Sequence, residues 1–188
     1  MRINQCLIQI ILTLGLMCPS LVVAADYEVV KGSELTFIAK ITGSSFKGET
    51  QALAGAVQFN EAGSELVFAN IQIKADSFET GMGLRDSHMN KKYLQVKKYP
   101  SIDFSLKSQS VNMQKGATSR LKGILKFHGV EKQIEVDAVV KSQSETEISI
   151  ESNFDLNITD YKIRKPKFAV VKMSPELKLQ LILVLRKK

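Results

Sequence analysis

Cysteine is almost missing from this chain: Cys6 and Cys18 are the only two, and both lie in the N-terminal apolar run. A protein that loses that run has no thiol left for a disulfide, so its stability must come from an ordinary core. Histidine is equally scarce, with His88 and His128 alone. A nucleophile triad needs a positioned base, and neither histidine accompanies a Gly-x-Ser-x-Gly turn. A zinc site needs three or four nitrogen or sulfur ligands, which two histidines without thiols do not supply. No glycine-rich phosphate loop precedes a helix, and no strand-helix-strand rhythm suggests a parallel α/β sheet. Low-complexity tracts, linkers and internal repeats are absent as well. The chain reads as one domain.

What is present begins with an export pattern. Arg2 is the one charge before Asp26, an apolar run spans Cys6 to Cys18, and Pro19-Ser20 breaks it. Leu21-Val22-Val23-Ala24-Ala25 then supplies the small residues of a cleavage site. The run is far shorter than the ~20 residues that cross a bilayer as a helix. Residues 1–24 are therefore expected to be a signal peptide, with cleavage after Ala24 or Ala25, Ala24 preferred. The domain would be residues 25–188, about 160 residues, enough to bury a core of its own. The expected destination is the periplasm, with no stable membrane span.

The formal charge is +7, or +6 once Arg2 is removed. A basic exported protein suits anionic head groups or acidic partners. Its cations are scattered without the aromatic ladder of single-strand binders, so nucleic acid is not expected as a partner.

Alternation with a period of two dominates the rest. Leu35, Phe37, Ala39 and Ile41 share a face, as do Leu53, Gly55, Val57 and Phe59, then Val67, Ala69, Ile71 and Ile73. Ile102, Phe104 and Leu106 follow Pro100, and Leu121, Gly123, Leu125 and Phe127 follow a turn at Gln114-Lys115-Gly116. His128-Gly129 leads into Ile134, Val136, Ala138 and Val140. The series ends with Ile148, Ile150, Ser152, Phe154 and Leu156, and with Leu177, Leu179, Leu181, Leu183 and Leu185. About eight strands at short spacing predict an all-β antiparallel fold. A long apolar last strand is an aggregation hazard as an edge, and closure onto the first strand removes that edge. The expected form is an eight-stranded antiparallel lipocalin-like barrel, wide enough to hold one small ligand.

One segment, Gly81 to Val96, has no period of two. It predicts a short helix in a connection, with Asp86 as its cap, Met89 and Tyr93 on one face, and Pro100 preventing continuation. Arg85 and His88, three apart, would present two donors together. They either tie the helix to the rim or meet a polar ligand head. His128 sits in a hairpin, where it suits a structural hydrogen bond, and is kept as a candidate contact. Lys165, within Lys162, Arg164, Lys165 and Lys167, is either a solvated loop residue or an anion contact at the mouth. Phe37, Phe104, Phe127 and Phe154 are the candidate cavity lining, each on the apolar face of its strand.

Several pieces in order resemble the YceI-like family. They are Phe78-Glu79-Thr80-Gly81, Arg85-Asp86-Ser87-His88-Met89, Lys92-Tyr93-Leu94, Tyr99-Pro100-Ser101-Ile102-Asp103-Phe104, and Leu121 through Val130 with its closing His-Gly-Val. The resemblance covers about Tyr27 to Leu185. The opening Tyr27-Glu28-Val29-Val30-Lys31-Gly32-Ser33 lacks the Asp and the His-Ser pair of many members. The resemblance implies a periplasmic lipocalin-like barrel around a long apolar ligand, a polyisoprenoid or fatty-acid-type lipid.

The expected function is thus a non-catalytic carrier for an amphiphilic isoprenoid or acyl lipid, with no cofactor besides that ligand. An interaction or stress-response module with a side-chain-filled barrel is the alternative, and an enzyme using Arg85, Asp86 and His88 is a third. Cavity volume separates the first two. Self-association into a homodimer is left open.

Overall fold

A computed structural model describes residues 24–60, 62–168 and 171–188 of the protein. The expected signal segment lies outside them, apart from Ala24. The strands are β1 (Ala24–Val29), β2 (Glu34–Ile41), β3 (Ser44–Thr50), β4 (Leu53–Asn60), β5 (Glu65–Lys74) and β6 (Ser101–Ser110). They continue as β7 (Thr118–Phe127), β8 (Val130–Gln143), β9 (Glu147–Asn157), β10 (Lys167–Phe168) and β11 (Val171–Lys187). Helix α1 (Gly83–His88) runs into a single wide helical turn, Met89–Tyr93.

Every pairing is antiparallel, and the ring β1-β4-β5-β6-β7-β8-β9-β11 closes when β11 returns to β1. This is an eight-stranded barrel. β1 and β2 act as one bent wall strand, as do β3 and β4, because β11 pairs first with β2 and then with β1. The bend sits at Gly32, whose φ of +96° favours glycine. Ser33 mends the ladder there: its Oγ accepts from the Val184 N–H at 2.9 Å and donates to the Val184 carbonyl at 3.3 Å.

β7 and β8 are joined by His128-Gly129 alone, with φ of +49° and +74°. Two central residues with positive φ match the twist of the flanking strands, which is why Gly is placed second.

The apolar faces meet inside the ring. Leu177, Leu179, Leu183 and Leu185 of β11 are buried, and Leu181 borders the same interior. One alternation differs from expectation. Phe59 pairs with Leu66 and Gln58 with Phe68, so Val67 is an extra residue in a bulge. Leu66 is therefore the buried residue at that end of β5, and Val67 is not.

Candidate binding cavity

The barrel encloses a cavity of about 620 Å³. This falls within the roughly 300–1,000 Å³ of small-molecule sites. Apart from Ser152 on β9, its strand wall is aliphatic and aromatic, from Ile134, Val136 and Ala138 on β8 round to Leu177 through Leu185 on β11. The cavity stops short of Tyr27 and Phe59, whose rings meet edge to face at 5.6 Å, and of Val140 and Ile148. Those residues pack into one cluster and close that end.

Two glycines make room for the aromatic lining. The Phe37 ring lies where a Cβ on Gly48 would stand, and the Phe104 ring does the same at Gly123. The tip of each ring thus occupies space that a side chain on the neighbouring strand would otherwise fill.

The other end is covered by the helical segment. Met82, Leu84, Arg85, His88, Met89, Lys92, Tyr93 and Leu94 border the cavity there, with Phe46 and Pro166 across the mouth. Thr80 is the hub of this cover. Arg85 donates from Nε to Thr80 Oγ1 at 2.7 Å and from Nη2 to the Thr80 carbonyl at 2.6 Å. The guanidinium also lies over the Phe46 ring, 4.2 Å from its centroid. Thr80 in turn donates its N–H, at 3.1 Å, and its hydroxyl to Asp86 Oδ1. Just before it, Glu79 and Glu49 exchange both backbone hydrogen bonds at 2.9 Å, which fastens the segment to β3.

This corrects the expected role of Asp86. The first helical residue is Gly83, Met82 stands at the cap without a side-chain bond, and Asp86 reaches back to Thr80. A carboxylate in the first turn still meets the positive end of the helix, so the sequence signal was real and its geometry different.

The candidate residues divide cleanly by position. Phe37, Phe104, Phe127 and Phe154 border the cavity, as do Arg85 and His88 at the mouth. His88 is exposed, whereas Arg85 is half-buried and engaged as above. His128 and Lys165 do not border it. His128 is buried against the Tyr99 ring, with centroids 4.4 Å apart, and its Nδ1 is 3.1 Å from the Tyr161 carbonyl. A carbonyl only accepts, so Nδ1 carries the proton in that bond. Lys165 is exposed beside Pro166, which does border the mouth. Alternation alone did not single out Phe46, Met82 or Leu84. Tyr161, packed on Phe127 at 5.4 Å, is buried, and that burial pushes its hydroxyl above its ordinary pKa.

Among the described residues no three His, Cys, Asp or Glu side chains converge as a metal site would require. No described helix is long and apolar enough to cross a membrane.

A closed antiparallel barrel with an apolar lumen and a helical cover defines a lipocalin-like architecture. The YceI-like domain model matches residues 27–185, and the chain belongs to that family. UPF0312 proteins of Pseudomonas savastanoi pv. phaseolicola and Pseudomonas syringae pv. tomato are 30% identical over 153 residues, covering 76% of this chain and 79% of theirs. Among solved structures, the fold is similar to a polyisoprenoid-binding domain from Saccharophagus degradans implicated in plant cell wall breakdown. The TM-score is 0.68 at 19% identity, covering 86% of this chain and 98% of that one. It is also similar to Burkholderia cenocepacia BcnA, with a TM-score of 0.67 at 18% identity over 81% and 95% of the two chains. The Campylobacter jejuni YceI protein gives 0.65 at 22% identity over 77% and 86%.

Proposed function

We propose that this protein is an exported carrier that encloses the tail of an amphiphilic isoprenoid or acyl lipid and leaves the polar end at the covered mouth. The observation that carries this reading is the 620 Å³ apolar lumen, closed at one end and bordered by Arg85, His88 and Lys92 at the other. A chain moved from water into such a lumen gains about 25 cal/mol for each Å² of apolar surface removed from water. A polar head finds an almost wholly apolar wall inside the lumen and belongs where cations and water satisfy it. His88, exposed at the mouth, is free to meet it, while Arg85 holds the cover through Thr80. Polyisoprenoid binding by the Saccharophagus degradans domain supports the ligand class.

A lumen of this volume counts against a barrel filled by its own side chains. Catalysis by Arg85, Asp86 and His88 finds little support, since Arg85 and Asp86 are both committed to Thr80.

Extraction of the purified protein with organic solvent and mass spectrometry of the extract tests the carrier role. A stoichiometric amphiphilic lipid is the expected result. A lipid-free extract, together with failure to take up any long-chain amphiphile, would overturn it. For export to the periplasm, N-terminal sequencing of periplasmic material should return Ala25 or Asp26, and Met1 would refute it.

A further inference from the structure

Ser152 interrupts an otherwise apolar wall. Among the described strand residues that border the cavity, it alone has a side chain built for hydrogen bonding. It lies on β9 between the inward Ile150 and Phe154, paired with Ala138 of β8 and Leu181 of β11. It is only 5% exposed, and its Oγ has no hydrogen-bond partner among the described residues. A buried hydroxyl without a partner is disfavoured, and alanine would fill the same space without that cost, as Ala138 does beside it. Strand alternation requires an inward side chain here but does not require a polar one.

We infer that Ser152 is a polar subsite inside the lumen, and that the natural ligand carries a hydrogen-bonding oxygen at that level. The inference rests on the lipid-carrier reading and narrows its ligand class from a plain hydrocarbon tail to an oxygenated one. From Ile158, where β9 gives way to the rim, down to Ser152 the wall descends roughly 15 Å along the barrel axis. An extended chain with its head at the mouth reaches that depth after about twelve carbons at ordinary bond spacing. A hydroxyl or carbonyl near the middle of a long acyl chain would meet Ser152 there. The Ser hydroxyl both donates and accepts, so either oxygen suits it.

Titration calorimetry of the delipidated protein with stearic acid and with 12-hydroxystearic acid tests this, using the wild type and Ser152→Ala. The wild type should prefer the hydroxylated chain by about three- to tenfold, the range of one net hydrogen bond. In Ser152→Ala that preference should vanish while stearic acid binds as before. Weaker binding of stearic acid itself in the variant would mean that the substitution disturbs the wall rather than removes a subsite, and would overturn the inference. If Ser152 merely makes room, the wild type will show no preference for the hydroxylated chain and the variant will bind both chains as tightly as the wild type or more tightly, and the inference fails while the carrier reading stands. If neither chain binds the wild type, and the solvent extract also holds no lipid, both fall together.

Discussion

The two ends of the barrel are walled by the same alternating strands, yet they are finished in opposite ways. At the closed end Tyr27 and Phe59 meet edge to face, and Val57, Ile148 and Leu185 are buried beside them. At the open end Met82 and Leu84 remain 54% and 66% exposed while also bordering the lumen. Burying such a side chain fully is worth about 1.5–3 kcal/mol, so stability alone would have covered both. The closed end is organised as core. The open end gives up that burial and spends its hydrogen bonds on holding a short cover, which is what access to a lumen requires.

Truncating an aromatic ring at each end should separate the two most sharply. Phe59→Ala leaves a hole in a filled cluster and should cost about 3–5 kcal/mol. Phe154→Ala enlarges a space that already exists, so its cost should be about 1–2 kcal/mol, because the lost contacts are fewer on the lumen side. Denaturant unfolding of the two variants measures the difference. Equal losses would mean that the lumen wall is packed as tightly as the closed end.

The same contrast separates what could be read in the sequence from what could not. Strands with apolar residues on one face and polar residues on the other were legible, β11 above all. β3 was not, because Ser44-Ser45-Phe46-Lys47-Gly48-Glu49-Thr50 places Gly48 and Thr50 where apolar residues would mark a face. Val67 escaped because a bulge adds a residue without any local composition signal. At the mouth, Arg85, Asp86 and His88 stood out as a cluster, and the helix was expected. Their partners were hidden: Phe46 comes from another strand, and Thr80 lies just before the segment, with nothing to mark it as a hub. Ser152 was visible only as one polar letter in an apolar row. Its meaning needed the closed barrel around it.

A smaller effect should come from loosening the cover. Thr80→Val removes the hydroxyl that accepts from Arg85 and donates to Asp86, at a cost of about 1–2 kcal/mol. Arg85→Lys keeps the charge but loses the planar fork and its stacking on Phe46. Amide exchange across residues 80–94 should quicken in both variants, with little change in the closed end. Lipid affinity should weaken only as far as the cover opens. A loss of affinity in Arg85→Lys with exchange unchanged would assign that side chain to the lipid head instead.

The smallest effect lies outside the lumen and treats both ends alike. Glu151 on β9 accepts from Asn153 Nδ2 at 2.9 Å and from Gln180 Nε2 at 3.0 Å, and its other oxygen is 3.0 Å from Lys141 Nζ. These bonds, led by the one from Asn153 and followed by those from Lys141 and Gln180, lower its pKa from 4.5 to about 2. They tie β8, β9 and β11 together on the solvent side of the wall. A carboxyl whose pKa is lower when folded adds stability that is complete above its unfolded value and fades as the folded carboxylate is protonated. The contribution should therefore be present above about pH 4.5 and disappear as pH falls towards about 2. Glu151→Gln cannot titrate, so its unfolding curves should lose part of the wild-type acid dependence in that window while matching its slope at neutral pH. Solvent screens an exposed pair, which keeps the effect modest and makes it shrink further in high salt. Unfolding midpoints of the wild type and Glu151→Gln between pH 2 and 7 measure it, and parallel curves throughout would show that the network contributes nothing to holding the three strands.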